Sequence, residues 1–138
     1  MCSSDLRMTV ADAVTSGRPS VILFATPMFC QTAACGPTLD VVKGIAADYK
    51  DRITFVHVEP YALRLTDTGI QPDLDADGNL QPVPATVEWG LPTEPYLFVV
   101  DADGTVAAMF EGVMGTDELR AAFEEVAAGA VPVSSPAA

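Results

Sequence analysis

Cys30 and Cys35 are the residues best suited to chemistry, separated by Gln31-Thr32-Ala33-Ala34 and followed at once by Gly36-Pro37. A thiolate attacks a disulfide, so two cysteines held together near positive charge can form an exchange couple. Their spacing sets a condition. On a regular helix, residues three apart have Cα atoms about 5 Å apart. Residues five apart lie roughly 8.7 Å apart and about 140° around the axis, beyond disulfide reach. A bond therefore requires Cys30 to lie outside the helix or the first turn to unwind. Proline suits a first helical turn, so Gly36-Pro37 predicts a helix starting there, with 30–34 as loop and closure feasible. Three readings stand at this point: an exchange couple, a structural disulfide, or two buried free thiols. The third cysteine, Cys2, falls where a chain terminus frays and is read as incidental.

Other groups invite a role and have a plainer one. Asp73, Asp75, Asp77 and Gly78 imitate the start of a calcium loop, but its twelfth position, where a bidentate Glu belongs, is Pro84. An acidic surface turn is the reading taken. Asp101 and Asp103 flank a hairpin turn. His57, the single histidine, sits in a β-rich segment and is read as a hydrogen-bonded strand residue. Trp89 is expected to pack near the cysteines. No metal site is assigned.

These residues must be positioned by regular elements. Thr9 is placed to cap a short helix through Val14, stopped by Gly17 and Pro19. Residues 20–25 form a continuous apolar run of strand length, expected to be buried on both faces. After the cysteines, Leu39, Val42, Ile45, Ala46 and Tyr49 recur at helical spacing, and 53–58 is a second strand. Strand, helix, strand implies a right-handed parallel unit. In the second half, 96–101 and 105–111 are strands joined through Asp103-Gly104. Thr116 is expected to cap a helix burying Leu119, Ala122, Phe123 and Val126. The segment 60–93 is too long for a structureless link in a compact domain, so it is functional or partly ordered, with a short helix at 84–89 ended by Gly90.

With 138 residues and 49% hydrophobic content, the chain suits one domain with one core. The expected division is a start at 1–7 outside the fold, a domain at 8–128 and a flexible tail at 129–138. The net charge of −12, from 7 basic and 19 acidic residues, argues against nucleic acid as a partner. No apolar run approaches a membrane span, and residues 1–8 lack the apolar stretch of a secretory signal.

A βαβ half followed by a ββα half, around a mixed central sheet with flanking helices, resembles the thioredoxin-like fold of the α/β class. The resemblance covers residues 8–127. Phe24-Ala25 leads to Phe29-Cys30 as the aromatic–cysteine site does in that family, and Asp101-Ala102-Asp103-Gly104 is similar to the hairpin turn of its extracytoplasmic reductases. Trp89-Gly90-Leu91 before Thr93-Glu94-Pro95 resembles the approach to the family's cis-proline, which implies that Glu94-Pro95 is a cis bond packed on the cysteine loop. Two departures matter. The family motif is Cys-x-x-Cys, whereas four residues intervene here. Many members also bury an Asp on the first strand to take the thiol proton, but 21–25 is wholly apolar. Glu94 is the only carboxylate the resemblance places near the sulfurs. Such a carboxylate raises a thiol pKa, while a helix N-terminus lowers it.

The resemblance implies a thiol–disulfide oxidoreductase acting on protein dithiols and disulfides, with Cys30 as attacking thiol, Cys35 as resolving thiol, and Glu94 and Pro95 completing the site. It implies no cofactor and an extracytoplasmic setting; oligomeric state is left open. The alternative is a non-catalytic interaction module of the same fold whose disulfide staples the helix start. A peroxidase is the third reading. The four-residue spacing is similar to that of one-domain peroxiredoxins, but their Pro and Thr, seven and three residues before the reactive cysteine, are here Leu23 and Pro27.

Overall fold

The computed structural model describes residues 9–26, 28–30 and 33–128. Cys2, Pro27, the expected start at 1–7 and the expected tail at 129–138 lie outside these. The order is α1 (Val10–Val14), β1 (Ser20–Phe24), α2 (Cys35–Ala46), β2 (Thr54–Val58), β3 (Leu63–Thr66), β4 (Gly69–Pro72), α3 (Pro84–Glu88), β5 (Tyr96–Val100), β6 (Val106–Glu111) and α4 (Thr116–Ala128).

A mixed sheet runs β2-β1-β5-β6, with β1 parallel to β2 and antiparallel to β5, and β5 antiparallel to β6. Both faces are covered, so β1 is buried along its whole length, as its unbroken apolar run requires. Alternation along the strands separates two clusters. Val21, Leu23, Phe55, Leu97 and Val99 meet Leu39, Val42 and Ile45 of α2 and Leu119, Phe123 and Val126 of α4. Ile22, Phe24, Val56, Phe98 and Val100 meet Ala13 of α1 and, through Ala85 and Trp89, α3. Tyr49 and Phe55 each meet Phe123 edge to face at 5.6 Å. The cysteines belong to the first cluster, and Trp89 packs on Phe98 and Phe24 in the second.

Local chemistry sets the boundaries. Thr9 and Asp12 form a reciprocal capping box at the start of α1. Thr116 does not cap α4. It is the first helical residue, and the Gly115 N–H donates to Glu118 Oε1 at 2.6 Å, so the carboxylate supplies the cap. Ala122 is only partly buried against the core, and Ala127 is buried as well.

Segment 60–93 is ordered. β3 and β4 pair as a hairpin across Asp67-Thr68, and two isolated antiparallel bridges, Tyr61–Pro82 and Leu74–Leu80, tie the chain that follows back onto the segment. Its end is pinned where Thr86 Oγ1 donates to the buried Pro60 carbonyl at 2.8 Å. Leu65 and Ile70 stay exposed, so the hairpin lacks the one-sided apolar alternation that marks a strand in sequence. No helix among the described residues is long and apolar enough to cross a membrane.

Candidate functional site

Cys35 is the first residue of α2 and fully buried; Cys30 precedes the helix and is partly buried. They are joined by a disulfide with Cα atoms 6.0 Å apart. The chain makes this approach with Ala33 at φ +63°, a left-handed conformation, and turns into the helix at Ala34. Regular helix would hold the two Cα atoms roughly 8.7 Å apart, so the backbone must leave it before Cys35. The helix thus starts one residue before Gly36-Pro37, with Ala34 as N-cap and no side-chain capping bond. Cys35 lies at the positive end of the helix dipole, where a thiolate is favoured.

Glu94 sits against the pair. It is 1% exposed, and one carboxylate oxygen and the two sulfurs all lie within 4.8 Å of one another. The Glu94-Pro95 bond is cis and Pro95 is buried. A short chain of hydrogen bonds ties this turn to the cysteine helix. The Gly112 N–H donates to the Pro95 carbonyl at 3.0 Å, and the buried Thr38 hydroxyl, one turn into α2, donates to the Gly112 carbonyl at 3.0 Å. Gly112 has φ +74°, which a side chain would strain.

Two residues that sequence reasoning missed complete the surroundings. The Tyr61 hydroxyl donates to Glu94 Oε2 at 2.5 Å. Burial, with the Glu94 hydrogen bond and charge, raises the Tyr61 phenol well above its usual range, so it stays a donor. Glu59 follows β2 directly; burial pushes its carboxyl up against hydrogen bonds from the Thr26 side chain and Tyr61 backbone, and the Glu94 charge pushes the same way. Its Oε1 is buried with no hydrogen-bond partner among the described residues. Glu59 was findable, because sites form at the carboxyl ends of adjacent parallel strands. Tyr61 carried no such signal: it stands 33 residues from Glu94, inside the unread segment.

The remaining candidates occupy structural positions. His57 Nε2 lies 2.6 Å from the Ala25 carbonyl oxygen. Asp75 Oδ1 accepts from the Asp77 and Asn79 N–H groups at 2.8 and 2.9 Å, and Asp101 Oδ1 accepts from those of Asp103 and Thr105. Leu23 is a buried strand residue, so nothing there polarises a peroxide.

No protein-family model and no curated protein matches the chain. Solved structures do. The structure of MTB DsbF in its mixed oxidised and reduced forms is 27% identical, covers 80% of this chain and 81% of its own, and aligns with a TM-score of 0.57. The crystal structure of a thioredoxin-like superfamily protein is 16% identical, covers 91% of this chain and 88% of its own, and aligns with a TM-score of 0.65. The mixed sheet, its flanking helices and these likenesses establish a thioredoxin-like fold.

Proposed function

We propose that this chain is a thiol–disulfide oxidoreductase whose couple is Cys30–Cys35 and whose substrates are protein dithiols and disulfides. The observation that carries the reading is the placement of the bonded pair, Cys30 a partly buried residue and Cys35 a fully buried one, at a helix N-terminus beside Glu94 and cis Pro95. The likeness to MTB DsbF, a protein solved in oxidised and reduced forms, supports it.

In the reducing direction, the Cys30 thiolate attacks one sulfur of a substrate disulfide. The second substrate sulfur leaves as a thiolate and takes a proton. Cys35 then gives its proton to the Glu94 carboxylate, and its thiolate attacks the Cys30 sulfur. The Cys30–Cys35 disulfide forms and the first substrate sulfur is released; two electrons have passed to the substrate. The oxidising direction is the reverse. Cis Pro95 holds the turn against α2 through Gly112 and Thr38, and Tyr61 orients Glu94. A closed disulfide persists in an oxidising, extracytoplasmic setting, which is the compartment we assign.

The burial of Cys35 also favours a second reading, a disulfide that only fastens the start of α2. Trapping separates them. Cys35→Ser should hold a covalent adduct with a disulfide substrate at Cys30, and Cys30→Ser should form none and lose dithiol-driven turnover. An adduct in Cys30→Ser but not in Cys35→Ser reverses the roles. No adduct in either, with a wild-type disulfide that resists strong dithiols, establishes the fastening role.

A further inference from the structure

We infer that the reduced Cys30–Cys35 pair and Glu94 form a binding site for one thiophilic divalent cation, Zn2+, that the disulfide form lacks. Three ligand atoms, two from the cysteine loop and helix start and one from the Glu94 turn, already lie within 4.8 Å of one another. A tetrahedral zinc ion, with Zn–S near 2.3 Å and Zn–O near 2.0–2.2 Å, places its ligand atoms about 3.5–3.8 Å apart. Breaking the disulfide lets the sulfurs separate to that spacing without moving Cα atoms that stand 6.0 Å apart.

The surroundings suit a metal. Glu94 is buried and its Oε2 accepts a hydrogen bond from the Tyr61 hydroxyl, the kind of outer contact that orients a ligating carboxylate. The Pro95–Gly112–Thr38 hydrogen bonds fix the Glu94 turn relative to the helix that bears Cys35. With both thiols ionised, three negative charges converge in a largely buried place, and a divalent cation offsets them. Two thiolates select a soft or borderline ion over Ca2+ or Mg2+. A carboxylate as third ligand suits Zn2+ rather than Cu+, which two thiolates satisfy. Three protein ligands leave a fourth position open. Binding releases two thiol protons and transfers no electrons.

The test uses the full chain in a Cys2→Ser background, so that the third thiol contributes nothing. The protein is reduced, freed of reductant without air, titrated with Co2+ for thiolate-to-metal charge-transfer bands, and back-titrated with Zn2+. If the native disulfide resists dithiols, reduction in denaturant and refolding supplies the same species. One equivalent should bind to the dithiol form and none to the disulfide form. Glu94→Gln should weaken binding by at least about tenfold, and Tyr61→Phe by about tenfold. Circular dichroism and melting confirm that each variant is folded, and Glu94→Asp should recover part of the affinity. No stoichiometric binding by the reduced protein, or equal affinity in Glu94→Gln, overturns the inference. The mixed-disulfide trap is independent: a failed trap with intact ion binding leaves this site standing on a non-catalytic pair.

Discussion

Ala33→Gly isolates the cost of closing a disulfide across four intervening residues. Ala33 is exposed, so loss of its methyl group removes no packing, and its φ of +63° is unfavourable for any residue with a Cβ. That conformation costs an L-residue about 1–2 kcal/mol. Glycine removes this cost but brings about 0.4–1 kcal/mol of extra freedom to the open chain. The net stabilisation of the closed form is about 0.5–1 kcal/mol. For a domain of this size that raises the melting temperature of the oxidised protein by about 2–4 °C. If reduction lets residue 33 leave the left-handed region, the same free energy lowers the reduction potential by about 10–20 mV, since 30 mV corresponds to about 1.4 kcal/mol. The assays are thermal melts of both redox forms and equilibration against defined dithiol–disulfide buffers with thiol quantification. Ala33→Val should shift both quantities the other way, because a β-branched residue tolerates positive φ least. A lower melting temperature in Ala33→Gly would refute the strain argument. A rise shared equally by both forms, with an unmoved potential, would show that the conformation outlasts the disulfide.

Three further outcomes follow from the packing and charge. Phe123→Ala, removing a fully buried ring wedged between Tyr49 and Phe55, should cost about 3–5 kcal/mol in urea unfolding; a loss below about 1 kcal/mol would contradict the core assignment. Glu59 has a folded-state pKa above its unfolded one, so the folded state binds more protons and stability falls as pH rises from about 4.3 through the folded value. Glu59→Gln should flatten that fall in pH-dependent melts, and an unchanged profile would refute the assignment to Glu59. Millimolar Ca2+ should leave the melting temperature unchanged, because Asp75 already caps its own turn; stabilisation that grows with calcium would overturn this.

What the sequence determined by itself is local in origin. The apolar run at 20–25 and the helical spacing of Leu39, Val42 and Ile45 specified elements, because period and burial are written residue by residue. Gly36-Pro37 located the start of α2 to within one residue. Errors arose where a signal admitted two solutions: Thr116 has the chemistry of a cap, yet Glu118 reaches the Gly115 N–H and fills that role. The β3–β4 hairpin went unread because its exposed Leu65 and Ile70 show no inward face. Only the tertiary structure decided the composition of the site. Tyr61 meets Glu94 across 33 residues, and Thr38 reaches Gly112 across 74. Such pairs are selected by how a sheet and its crossing segments converge, a geometry that no local spacing encodes. The left-handed Ala33 is of the same kind: nothing in an alanine calls for positive φ, and the residue adopts it in the structure where the disulfide closes on the first residue of a helix packed against the core.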